Sequence, residues 1–312
     1  MHTIFVIVAP IFALILVGYL CRKTNKLGDK AAAEINKMVV WLCLPALLFK
    51  VTATATWSEI WHPGFILAFG AGALAMFVIT LGWRLYSGHG LVASSIDGLS
   101  AGYANTGYIG IPLCVLLFGE AGLQPALISS LIVVCLVFAI SLTLIEIGLQ
   151  EERQIGRAIL VVAKALAKNP LVFSPVVGAV WAMSGLGLAE PVLHFLDMLA
   201  LATTPCALIS LGAFLAEKRT GTQASPWPLV WLKLVGQPAL TWVLAFKVFS
   251  LPTMWATSAV LLAALPTGTG PFMLAEYYNR EAGLISRTIL LSTVVSLVTL
   301  TGLLYLLGMG SA

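Results

Sequence analysis

The chain has 312 residues, of which 60% are hydrophobic and 10% charged, with a mean hydropathy of +1.00. Soluble domains carry about 25% charged residues, so this composition excludes a soluble globular domain and describes an integral membrane protein whose lasting partner is the lipid bilayer, with no nucleic-acid partner expected. The formal charge of +4 informs less by its size than by where the basic residues lie.

Apolar runs of about 20 residues, the length that crosses a bilayer, recur along the chain. They predict ten spans, at 3–21, 34–56, 63–85, 96–119, 123–148, 170–184, 191–216, 229–250, 254–278 and 282–307. Span 1 has no basic residues before it and no small-residue cleavage site after it, so it reads as a retained span rather than a signal peptide. The connection 150–169 repeats Ile155, Ile159, Val162 and Leu166 at helical spacing, with Arg153, Arg157, Lys164 and Lys168 on other faces, which predicts a helix lying in the membrane interface. Of the 17 basic residues, all but Lys50, Lys247 and Arg287 fall in or beside the odd-numbered connections. The positive-inside rule then places those connections in the cytoplasm and both termini outside. Cys21, Cys43, Cys114, Cys135 and Cys206 lie in or at the ends of spans without metal-type spacing and read as small buried hydrophobes.

Two stretches organise the spans. Span 4 contains ANTGYIGIP (104–112) and span 9 contains ALPTGTGPF (264–272). Backbone freed by Gly and Pro at membrane depth must find partners in protein or along a cavity, and paired interruptions in the two halves of a chain point to a transporter's substrate site. The halves do correspond. A shift of 160 residues carries Pro10 onto Pro170, Gly18 onto Gly178 and Pro45 onto Pro205. A shift of 161 carries Thr106-Gly107 onto Thr267-Gly268 and the Glu-Ala-Gly-Leu at Glu120 onto that at Glu281. The expected fold is therefore an all-α membrane protein of two inverted five-span repeats, 1–149 and 170–312, joined by 150–169, with broken helices 4 and 9 crossing near the midplane.

The start of a half-helix exposes unpaired N–H groups and partial positive charge, a ready site for an anion. Asn105, Thr106, Thr267 and Thr269 add hydrogen-bonding side chains, Pro266 an exposed carbonyl, and Gly107, Gly110, Gly268 and Gly270 let a ligand approach the backbone. These residues form the expected substrate site. Pro112 and Pro271 suit first helical turns, and Pro45 and Pro205 are kinks or hinges. Ionisable residues are few: Glu120, Glu146, Asp197, Glu276 and Arg287 lie near span ends. Thr288, Ser292, Ser296 and Thr299 form a stripe on span 10 that reads as interhelical hydrogen bonding. Gly98-Leu-Ser100-Ala-Gly102 matches a hydrolase nucleophile motif, but no histidine can be placed beside Ser100. Gly98 and Gly102 read instead as a close-packing pair, and no enzyme activity or metal centre is expected.

At this point the chain resembles the auxin efflux carrier family. The likeness is carried by GYLCRKTNKLG (18–28), LPALLF (44–49), ANTGYIGIPL (104–113), Asn169-Pro170, TPCALISLGAFLA (204–216) and LPTGTGPFMLAEYY (265–278). The resemblance implies a secondary transporter of small organic anions in a bacterial inner membrane, malonate or a related dicarboxylate by likeness to the malonate and malate branch. It also implies alternating access, with spans 3–5 and 8–10 as the moving core. Where the family often has a second asparagine, this chain has Gly270 before Pro271, so only Asn105 carries over. No cofactor is expected. Sodium, near Asn105 and Pro266, and the proton are the two candidate coupling ions, and a homodimer is one candidate assembly. The competing readings are an efflux carrier for another carboxylate such as an auxin-like acid, and a membrane receptor or sensor using the same fold.

Overall fold

The computed structural model describes residues 2–54, 61–149, 160, 163–164, 167–217, 224–278, 280 and 282–309. The expected interfacial helix therefore falls mostly outside the described residues, as do Glu281 and the basic residues Arg153, Arg157, Lys218 and Arg219. The described chain is helical, without strands. Its elements are α1 (His2–Lys23), α2 (Ala31–Thr54), α3 (Pro63–Tyr86), α4 (Leu91–Gly102), α5 (Ile111–Phe118), α6 (123–149), α7 (Pro170–Met183), α8 (Glu190–Leu215), α9 (Trp227–Val248), α10 (Thr253–Ala263), α11 (Gly270–Tyr277) and α12 (Ala282–Leu306). Among the described residues six helical runs are long and apolar enough to cross a membrane, and α7 and α10 are shorter apolar helices.

One of the six runs, Thr106–Leu149, is 44 residues long. At ~1.5 Å per residue it would far exceed a hydrocarbon core of ~30 Å, and it turns back on itself at Gly119–Gly122. Gly119 takes a positive φ of 62°, which glycine adopts without steric cost. A Cβ on Gly122 would lie 2.1 Å from Cys114 O, so the corner closes only with glycine there. The corner divides α5 from α6.

Prolines shape the other helices. Widened π-helical turns at Val39–Cys43, Thr106–Gly110 and Leu232–Gly236 end two residues before Pro45, Pro112 and Pro238. A proline has no N–H to donate, and its ring crowds the carbonyl four residues back; a turn with i→i+5 bonds relieves both. Pro45 and Pro112 thus mark real changes of helical pitch. Pro205 lies inside α8, which is α-helical throughout.

The helices pack in two groups. α1 packs on α8, and α2 packs on α7 and α8; α3, α4, α6 and α9–α12 pack mainly on one another. Small residues permit the first set of contacts. A Cβ on Gly18 of α1 would lie 2.1 Å from Ile209 O, one on Gly212 of α8 1.9 Å from Ile15 O, and one on Gly178 of α7 2.7 Å from Phe49 O. In the second group Gly98 and Gly102 of α4 press against Phe77 O and Ala73 O of α3. That is close helix packing of the GxxxG type, and Ser100 Oγ simply returns its hydrogen to Ile96 O at 3.0 Å.

Candidate functional site

The two broken stretches meet. α4 stops at Gly102 and α10 at Ala263. These half-helices of 12 and 11 residues are roughly 16–18 Å long, about half of a ~30 Å hydrocarbon core. Between the breaks Ala104 and Thr267 form an isolated antiparallel bridge. Asn105 N donates to Pro266 O and Gly268 N to Tyr103 O, each at 2.9 Å. Backbone groups that leave the helical ladder at this depth are thus satisfied by the other break, as a water-poor environment requires.

Asn105 is the hinge of the arrangement. Its side-chain Oδ1 accepts from Tyr108 N at 3.3 Å and caps the half-helix that begins at Thr106. Its own carbonyl accepts from Ile109 N and Gly110 N at 3.2 and 3.1 Å. Its Nδ2 is buried without a partner among the described residues, on a side chain only 5% exposed. Asn105 lines a cavity of about 120 Å³, with Tyr103, Thr106, Gly107, Ser130, Asn169, Thr269 and Gly270 as further polar or backbone contributors. Apolar walls come from Val40, Leu44 and Leu48 of α2, from Leu171 of α7 and from Leu131, Val134 and Phe138 of α6. The cavity therefore opens between the two helix groups. No lining residue carries a formal charge.

The expected site residues divide into two sets. Asn105, Thr106, Gly107, Thr269 and Gly270 line the cavity. Gly110, Pro266, Thr267 and Gly268 build the crossing instead. Thr267 is fully buried, its Oγ1 donates to Ser100 O at 2.9 Å and its N–H donates to Ser292 Oγ at 3.2 Å, so the span 10 stripe supports the break. A Cβ on Gly110 would lie within 3 Å of Leu262 and Leu265, and one on Gly268 or Gly270 within 3 Å of the Tyr103 ring. Three of the four glycines expected to admit a ligand thus admit protein side chains, those of Leu262 and Leu265 at Gly110 and the Tyr103 ring at Gly268 and Gly270. Gly107 alone has open space around its Cβ direction.

Three residues escaped the sequence analysis. Tyr108 donates its hydroxyl to Asn36 Oδ1 and, with Thr269 and Met273, lines both this cavity and a second of about 310 Å³ that reaches Asp29, Lys30 and Glu217. Asp97, 3% exposed, pairs with Arg84 at 2.6 Å; a lone acid inside an apolar run was the available signal. Lys233, by type and place a basic residue beside a connection, is fully buried. Of the expected end-of-span acids, Asp197 pairs with Lys50, and Glu146 accepts from Tyr278.

Apolar helices gathered around a cavity at two mutually paired helix breaks define an integral membrane protein of the transporter class. Residues 3–304 match the family described as "Membrane transport protein", and the chain belongs to that family. It is 29% identical over 307 residues to a protein of Rhizobium meliloti named "Putative malonate transporter", covering 98% of this chain and 96% of that protein. It is 27% identical to an "Uncharacterized transporter" of Methanothermobacter thermautotrophicus, covering 94% of this chain and 95% of that one. It is also 28% identical to "Auxin efflux carrier component 8" of Arabidopsis thaliana, over 52% of this chain and 46% of the plant protein.

Proposed function

We propose that the protein is a secondary carrier of small organic anions, malonate or a related dicarboxylate, working by alternating access in a bacterial inner membrane. The observation that carries this reading is the buried, unpartnered Nδ2 of Asn105, a residue that lines a small cavity at the paired breaks. A buried donor without an acceptor is costly, and a carboxylate oxygen supplies the acceptor. The half-helix starting at Thr106 and the α11 start at Gly270 turn their positive ends toward the same space, which compensates for the absence of a lining cation. A cavity of about 120 Å³ is well below the roughly 300–1,000 Å³ of drug-sized sites, which favours an acid of a few carbons over an indole-sized one.

Ten spans in two inverted repeats are part of this proposal, with both termini outside. Two sets of contacts support them. A shift of 160 residues turns the contact of Gly18 with Ile209 into that of Gly178 with Phe49, with the repeats exchanged. A shift of 161 carries Asn105 onto Pro266, two residues joined by the Asn105 N to Pro266 O hydrogen bond at the crossing. In the proposed cycle α3–α6 and α9–α12 move as a core against α1, α2, α7 and α8. The Asn105 carbonyl already accepts two hydrogen bonds, which favours a proton over sodium as coupling ion. The test is uptake of labelled malonate, malate and larger acids by proteoliposomes, with and without imposed sodium and pH gradients. Uptake of none of them, with specific binding retained, would leave the receptor reading in its place.

A further inference from the structure

Lys233 lies in the widened turn Leu232–Gly236 of α9, and its side chain is 0% exposed. Its Nζ donates to Ala263 O at 2.6 Å. Ala263 is the last residue of α10, so the amine lies against the C-terminal end of the half-helix that breaks at the crossing. That end carries unpaired carbonyls and partial negative charge. An ammonium has three N–H donors. Among the described residues it finds this single acceptor and no carboxylate at ion-pair distance.

Further polar groups continue from it. Gln237 is fully buried with both amide atoms unpartnered, and the buried hydroxyls of Thr241 and Thr80 are unpartnered too. On α3 the Cβ direction of Gly72 meets Thr241, while Gly236 meets Met76. This antiparallel register brings Thr80 level with Lys233. The α3–α9 seam thus holds a row of polar side chains reaching from Lys233 toward mid-membrane, and none of them lines either cavity. The helices packed against Lys233 carry few titratable groups. α3 has Arg84 and Tyr86, α4 has Asp97, held by Arg84 at 2.6 Å, α12 has Arg287 and Tyr305, and α10 has none.

A metal cation would be repelled by the ammonium, and an anion would need a cavity. A proton needs neither. We propose that Lys233 is the coupling-proton site of the carrier, an assignment that rests on the transport reading above. The ammonium holds one proton while its charge faces the α10 carbonyl. On release, in a state of the cycle in which water reaches the α3–α9 seam, one N–H bond breaks, the electron pair stays on nitrogen, and that water takes the proton. The neutral amine still donates to Ala263 O, so both forms keep that carbonyl satisfied.

The test uses the full chain in proteoliposomes with labelled malonate as probe. Lys233→Met is never charged, and Lys233→Arg never gives up its charge. Both should exchange malonate across membranes at equal pH and lose accumulation driven by a pH gradient. Gradient-driven accumulation at the wild-type level in either variant overturns the proposal, and so does loss in a variant that no longer exchanges while the other retains accumulation. Isotope-labelled lysine provides a readout independent of transport. The NMR resonance missing from Lys233→Arg should move with pH in the purified wild-type protein, and a resonance that stays still throughout the pH range of the folded protein refutes the assignment. If wild type carries no acid at all, the transport reading fails, and a titrating Lys233 resonance still identifies a proton site.

Discussion

Asn105 performs two jobs that a pair of substitutions separates. Its Oδ1 caps the half-helix through Tyr108 N, and its Nδ2 is buried without a partner on a residue that lines the cavity. Asn105→Asp keeps an acceptor for the cap, and a carboxylate at a helix N-terminus is favourable. It removes the donor and adds a negative charge where a substrate carboxylate would bind. Two unit charges ~4 Å apart at an effective dielectric of ~20 repel by about 4 kcal/mol, roughly a thousandfold in affinity. Asn105→Ala loses both functions. The lost cap costs about 1 kcal/mol of stability, and the lost hydrogen bond to a charged group about 1.5–3 kcal/mol of binding, or roughly ten- to hundredfold. Substrate binding by calorimetry and thermal melting of each purified protein measure the two quantities separately. Asp should be the more stable variant and the worse binder. If Asn105→Asp binds and carries malonate with wild-type affinity, Nδ2 does not meet the substrate and the cavity reasoning is wrong.

Gly270→Ala places a Cβ 2.6 Å from Tyr103 Cζ; it should cost about 1–3 kcal/mol in melting experiments and weaken uptake as the ring is pushed aside. Gly107→Ala has open space around its Cβ, so its melting temperature should hold while the KM for uptake rises. Gly212→Val sets a Cβ 1.9 Å from Ile15 O, a backbone clash no rotamer relieves, and should abolish a monodisperse peak in size-exclusion chromatography. Asp97→Asn leaves Arg84 without its buried charge partner; breaking such a pair costs about 3–5 kcal/mol and should appear as a large drop in thermal stability, whereas an unchanged melting curve would show that the pair is solvated.

The sequence by itself determined the membrane class, the family, the approximate helical segments and the places where two of them break. These follow from local chemistry: apolar runs of spanning length, and Gly and Pro clustered with Asn105 and Thr267 where a helix cannot continue. It also located Gly98 and Gly102 as points where helices could approach. The partner of each group was decided only in three dimensions. Gly268 and Gly270 look alike in sequence to Gly107, yet Tyr103 fills the space beside the first two and leaves the third open. Asn105 could have offered either end of its amide, and the cap to Tyr108 N uses the acceptor and frees the donor. Lys233 has the residue type and position of an ordinary connection charge. Only the packing of α3 and α10 against α9 takes it out of water, because burial of a long side chain depends on neighbours distant in sequence, which no local pattern records.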